Sequence, residues 1–133
     1  KKVLIMLLGS AAQQAMGGQL NLKTEQEILM NLSDIIIEIF NAESTLMRVL
    51  KIAESYPDKD LDLYNAILKT HLHDATGRVT KYATDAIASF IPTEMQGAFV
   101  SGVRKYTKYP LQNIKENRRK IATAMSTAAK YAL

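Results

Sequence analysis

The chain has 133 residues, of which 47% are hydrophobic, and it carries a net charge of +4 with a pI near 9.3. These values are typical of one domain, residues 1–133, that buries its own core. The absence of cysteine excludes a disulfide scaffold and a thiolate metal site. The apolar run from Val3 to Leu8 is too short to cross a membrane and lacks the cleavage pattern of a secretory signal.

The positive charges are spread along the chain rather than gathered in one patch. The densest cluster is KENRRK at 115–120, which predicts a solvated helix face. Phosphate binding would need other elements to extend this cluster. We therefore expect no nucleic-acid partner.

A first helix is predicted over residues 1–16, ended by Gly17 and Gly18. One face collects Val3, Leu4, Leu7, Leu8, Ala11 and Ala15. Ile5 and Met6 point away from that face, so the first turns are apolar almost all round. Either a further part of a longer parent chain or a second subunit covers Ile5 and Met6, or they are two tolerated exposed residues. These two residues are the candidate interface.

The sequence from Thr24 to Glu54 predicts one long helix, opened by a capping box between Thr24 and Glu27. Its apolar residues recur at helical spacing and form one broad face: Ile28, Leu32, Ile35, Ile36, Ile39, Phe40, Leu46, Met47 and Leu50. Asp34 and Glu38 fall largely outside this face and are predicted to be solvated. A helix with so wide an apolar face needs several neighbours to cover it.

Three more helices are predicted downstream. One begins at Asp58 or Asp60 and ends at Phe90, a shorter one is opened by a capping box between Thr93 and Gln96, and the last covers 111–131. No strand alternation is present. The pattern predicts an all-α fold, an antiparallel up-and-down helical bundle of four long helices and one short helix.

One acidic residue, Glu43, falls near the middle of the apolar face of the long helix. Arg118 falls in the apolar face of the last helix, between Ile114 and Ile121 in angle. Two helices that each bury one opposite charge predict a buried structural pair, Glu43 with Arg118. The alternative is that Arg118 reaches solvent and Glu43 lies at a helix edge.

Residue types that carry chemistry are present without the spacing that chemistry needs. His71 and His73 lie two apart on a helix and so point in different directions, whereas helical metal sites use spacings of three or four. No serine has the surroundings of an activated nucleophile. We assign no catalytic, cofactor-binding or metal-binding residue.

Two stretches nevertheless resemble a known family. Residues 35–54, IIIEIFNAESTLMRVLKIAE, resemble the segment that opens the extra C-terminal region of acyl-CoA dehydrogenases of the very-long-chain type. Residues 102–131, GVRKYTKYPLQNIKENRRKIATAMSTAAKY, are similar to the end of bacterial members of that group. The resemblance implies that the chain is the C-terminal helical extension of a longer parent, an expectation that its start at Lys1 also favours.

The resemblance implies that the parent is a flavoenzyme that removes hydrogens from the α and β carbons of an acyl-CoA thioester. A glutamate takes the α proton and FAD accepts the hydride, and both belong to the upstream part of such enzymes. The implied partners are that upstream dehydrogenase core, a second subunit in a homodimer, and acyl-CoA through the parent. Mitochondrial members associate with membranes, but the segment responsible is not recognisable in this sequence.

The residues alone leave a second function open. A free-standing helical protein-interaction module without catalysis would have the same pattern as a docking extension. What precedes Lys1 in the gene discriminates between the two. The sequence has no organelle signal, so we expect a bacterial cytoplasmic location.

Overall fold

The computed structural model describes residues 1–128, which form five α-helices and no strand. The helices are α1 (Lys2–Met16), α2 (Gln26–Ser55), α3 (Asp62–Phe90), α4 (Thr93–Tyr106) and α5 (Ile114–Ala128). The all-α class is confirmed. Within the described residues α2 and α3 are about twice as long as the other three helices, so four long helices are not confirmed, and the antiparallel up-and-down arrangement stays a prediction.

Glycine or proline lies at or shortly after the ends of α1, α2 and α3. Gly17 caps α1, and Gly18 follows with φ +71°, a left-handed conformation in which glycine has no Cβ to strain. The end of α2 at Ser55 comes shortly before Pro57, and α3 ends at Phe90, two residues before Pro92. These boundaries depend on local backbone chemistry alone. The predicted end of α5 near Tyr131 lies outside the described residues.

Neither predicted capping box forms. The Thr24 hydroxyl donates to the Asn21 carbonyl at 3.0 Å, and α2 begins two residues later. Thr93 is the first residue of α4 rather than its cap, and the Gln96 amide donates to the Ile91 carbonyl at 3.0 Å. The start of α3 matches the prediction more closely, because an Asp60 carboxylate oxygen accepts from the Asp62 N–H at 2.9 Å.

The described chain divides into two compact units. Unit 1 comprises residues 1–40 and 75–109, and it contains the main core. That core is built from apolar residues of α1, α2, α3 and α4, together with Ile91, which follows α3: Val3, Leu7, Ala11, Ile28, Leu32, Ile35, Ala83, Ala86, Ile87, Phe90, Ile91 and Val103. Their spacing of three and four along each helix places them on one side of it.

Unit 2 comprises residues 41–74 and the segment that begins at Pro110. Within its described residues only Val49 and Ala66 are buried apolar side chains, and α5 buries none. Unit 2 therefore has far less core of its own than unit 1. A single domain over 1–133 stays a prediction.

Among residues 1–128, no helix combines the length and the apolar content needed to span a membrane.

Candidate interaction surfaces and groove

In unit 1, α2 is apolar on two opposite sides. Ile28, Leu32 and Ile35 are buried in the core. On the other side, five large apolar side chains are between 40% and 68% exposed, a set that we call the outer stripe: Leu29, Met30, Ile36, Ile37 and Phe40. Contiguous exposed apolar surface of this kind marks an interaction site more often than chance.

The outer stripe corrects the sequence-based interpretation of α2. Ile36 and Phe40 were predicted to share one covered face with Ile28 and Leu32, yet they are exposed in the structure. The sequence does contain a signal for two faces. Ile35, Ile36 and Ile37 are consecutive and span about 200° of a helix, which is too wide for one neighbour to cover.

The structure separates the two predicted interface residues of α1. Ile5 is 69% exposed, as expected for a residue that points away from the core. Met6 instead is half-buried and packs against the core of unit 1. Its sulfur lies close to Gly102, since a Cβ added at Gly102 would be 3.0 Å from that sulfur. The absence of a side chain at Gly102 lets Met6 of α1 approach α4 closely. Of the two, only Ile5 remains a candidate for contact with another protein surface.

A bidentate ion pair that the sequence did not predict lies in unit 1. Arg78 Nε donates to Glu38 Oε1 at 2.6 Å, and Arg78 Nη2 donates to Glu38 Oε2 at 2.9 Å. Glu38 is buried, which corrects the prediction that it is solvated. The two residues are 40 positions apart, and neither helical spacing nor charge pattern links them. The fork-to-fork geometry matches both carboxylate oxygens, so the burial of Glu38 is compensated.

Arg118 has a different partner from the one predicted. Its Nη2 lies 2.9 Å from both carboxylate oxygens of Asp74, within unit 2. Glu43 and Arg118 are both exposed, so the predicted burial of this pair is wrong. The physical reason is that α5 buries none of its described residues, and Arg118 therefore stays at the surface.

Two ion pairs attach α5 to α3 within unit 2. Besides Arg118 with Asp74, the Lys120 ammonium donates to the Asp62 carboxylate. A hydrogen bond with His73 Nδ1, together with the Arg118 guanidinium, lowers the pKa of Asp74 below its ordinary value of 3.8. Two of the four basic residues of the cluster at 115–120, Arg118 and Lys120, thus have acidic partners in their own unit.

A groove of about 530 Å³ lies within unit 2 between α2 and α3. Three aliphatic side chains line it: Val49, Ile52 and Ile67. Four polar side chains line it as well: Ser44, Thr45, Arg48 and Tyr64. The Lys59 ammonium lies 4.7 Å from the centroid of the Tyr64 ring, in the range of a cation–π contact. The groove therefore combines apolar side chains with the positive charge of Arg48, and the Lys59 ammonium lies against the ring of Tyr64.

The histidines form no metal centre in the part of the chain that the structure describes, where no group of three or more potential ligands occurs. His73 is exposed and its Nδ1 lies 3.2 Å from Asp74 Oδ1. His71 is half-buried.

Comparison with known proteins places the helical fold in a family. The model of the acyl-CoA dehydrogenase C-terminal domain matches residues 1–105, most of the chain. The chain belongs to this family. It is also similar to a probable acyl-CoA dehydrogenase of Bacillus subtilis (strain 168), with 28% identity over 134 residues that cover 98% of the chain and 22% of the relative. The chain thus spans about a fifth of that relative's length, and no solved structure matches it.

Proposed function

We propose that this chain is the accessory C-terminal domain of an FAD-dependent acyl-CoA dehydrogenase of the very-long-chain type from a bacterial cytoplasm. Its parent oxidises acyl-CoA to trans-2-enoyl-CoA in fatty-acid β-oxidation and forms a homodimer. The family match supports the parent's class, and the outer stripe of α2 supports the docking role. The outer stripe is the main support for the proposal, because a large exposed apolar patch is uncommon on a monomeric protein and marks an interaction site.

The occupant of the outer stripe is the dehydrogenase core of the same parent. The relative extends well beyond the region that this chain matches, so a large partner is available in one polypeptide. Burying Met30, Ile36 and Phe40 against that core removes apolar surface from water and stabilises the docked state. A partner in the same chain also lowers the entropic cost of association.

FAD does not fit the groove of unit 2. The pyrophosphate of a dinucleotide is bound by free backbone N–H groups at a helix N-terminus or glycine-rich turn. None of the residues that line the groove is a glycine, and residues 44–52 lie inside α2, where the backbone N–H groups are committed to helical hydrogen bonds. We therefore assign FAD, the catalytic glutamate and the acyl-CoA site to the dehydrogenase core, and no residue of this chain to the chemical step.

Two methionines provide a matched test of docking in the full-length gene product. Met30 lies in the outer stripe and Met16 is an equally apolar exposed residue at the end of α1. Met30→Glu places a charge in the proposed interface and should lower the thermal unfolding midpoint of the full-length protein, whereas Met16→Glu should leave it unchanged. Equal unfolding midpoints for both variants and the wild-type full-length protein would reject docking through this stripe and favour a free-standing interaction module.

A further inference from the structure

The groove of unit 2 presents a guanidinium that the fold does not use. Among residues 1–128, the Arg48 side chain makes no hydrogen bond and no ion pair, in contrast to Arg78 and Arg118, whose guanidinium groups bind carboxylates. A guanidinium has five N–H donors in a planar fork that matches a carboxylate. Arg48 is thus available to an anion in the groove.

A second positive charge comes from a separate element. Lys59 lies between α2 and α3 in sequence, and its ammonium contacts the ring of Tyr64, one of the groove residues. None of the seven side chains that line the groove is acidic. The groove is therefore electrostatically complementary to a negative group rather than to a cation.

The rest of the groove is suited to hydrocarbon. Val49 is buried, and Ile52 and Ile67 are half-buried, so their exposed portions offer apolar contact without unfolding. The volume of about 530 Å³ lies within the range of small-molecule sites, roughly 300–1,000 Å³. A ligand that satisfies both features has one hydrocarbon chain and one anionic head.

We propose that this groove binds a fatty-acid anion. Arg48 contacts its carboxylate, and Val49, Ile52 and Ile67 contact its chain. Lys59, beside Tyr64, adds positive potential near the groove. An arginine fork binds two oxygens of either a carboxylate or a phosphate, so competition between the two head groups is part of the test. The proposal depends on the groove alone, so it holds or fails separately from the flavin chemistry of the parent.

The test is photo-labelling of the full-length gene product with a fatty acid that carries a diazirine in its chain, followed by peptide mapping. We expect label on peptides that contain Val49 or Ile67, and competition by unlabelled dodecanoate. Arg48→Gln should reduce this labelling roughly tenfold or more, the usual worth of one charged hydrogen-bonding partner. Arg119→Gln is the matched control, since Arg119 is an exposed arginine of the same unit that does not line the groove.

Two additional probes define the head group. A diazirine alcohol of the same chain length should label these peptides weakly, and lysophosphatidic acid should compete less well than dodecanoate. Absence of label on these peptides, equal labelling by the alcohol, or unchanged labelling of Arg48→Gln would each overturn the proposal. Better competition by lysophosphatidic acid would reject the carboxylate. Circular dichroism of each variant establishes that it is folded.

Discussion

Glu38 and Arg78 form a two-point ion pair whose carboxylate is buried and whose guanidinium is partly exposed, with side chains 11% and 42% accessible. The pair joins α2 to α3 within unit 1, beside the core. Removing one partner leaves the other without its charge-assisted hydrogen bonds. The loss of folding stability is larger when the group left unpaired is the buried carboxylate.

We expect Arg78→Met to lower the free energy of unfolding by about 1.5–3 kcal/mol, because Glu38 then loses both hydrogen bonds. Lys81 and Asp85 supply the matched control, since they form an exposed pair one helical turn apart in the same helix. Lys81→Met should cost much less, because an exposed ion pair is screened by solvent. Urea unfolding of the two variants measures the difference. Equal decreases in the free energy of unfolding would show that the Glu38–Arg78 pair stabilises the fold no more than the exposed pair does.

A second prediction concerns two glycines of α4. Alanine favours a helix over glycine by about 1 kcal/mol, and a Cβ at Gly97 meets nothing within 4 Å. Gly97→Ala should therefore raise the free energy of unfolding by nearly this amount. At Gly102 the new Cβ would lie 3.0 Å from the Met6 sulfur, so Gly102→Ala should gain clearly less. An equal gain at both sites would mean that Met6 does not pack against Gly102 in solution.

A third prediction concerns pH and the attachment of α5. A hydrogen bond with His73 and the nearby Arg118 guanidinium both lower the pKa of Asp74 below 3.8 in the folded protein. The resulting stabilisation is fully present above the unfolded pKa, and it is lost as the pH falls through the lower folded value. Asp74→Asn should therefore flatten the decline of stability below pH 3.8.

The control for this pH dependence is Asp58→Asn, at an exposed aspartate that forms no ion pair among residues 1–128. Thermal unfolding between neutral pH and pH 3 measures both variants. A profile of Asp74→Asn that coincides with the wild-type profile would contradict the proposed contribution of Asp74.

The helix boundaries could be predicted because their causes are local. Gly17, Pro57 and Pro92 act on the backbone within one or two residues, whatever the rest of the chain does. Capping by Thr24 and Thr93 could not be predicted, because the residue at which a helix starts depends on the path of the preceding loop. In the structure the Thr24 hydroxyl donates to the Asn21 carbonyl, and Pro92 takes the capping position of α4.

The surfaces and charge pairs depend on which neighbour covers each helix face, and spacing alone does not contain that information. A helical wheel places Ile36 and Phe40 near the broad apolar face of α2, but only the positions of α1 and α3 in the core decide which side is covered. The same limit explains the partners of Glu38 and Arg118, which lie 40 and 44 residues away in sequence. The family resemblance, in contrast, depends only on the order of amino acids along the chain, so it could be predicted from the sequence.

We propose that this helical chain serves an acyl-CoA dehydrogenase. The visible absorption spectrum of the full-length gene product, before and after addition of long-chain acyl-CoA, tests this proposal. We expect a flavin spectrum that bleaches when the substrate reduces FAD. A colourless protein, or a flavin spectrum that acyl-CoA leaves unchanged, would contradict it.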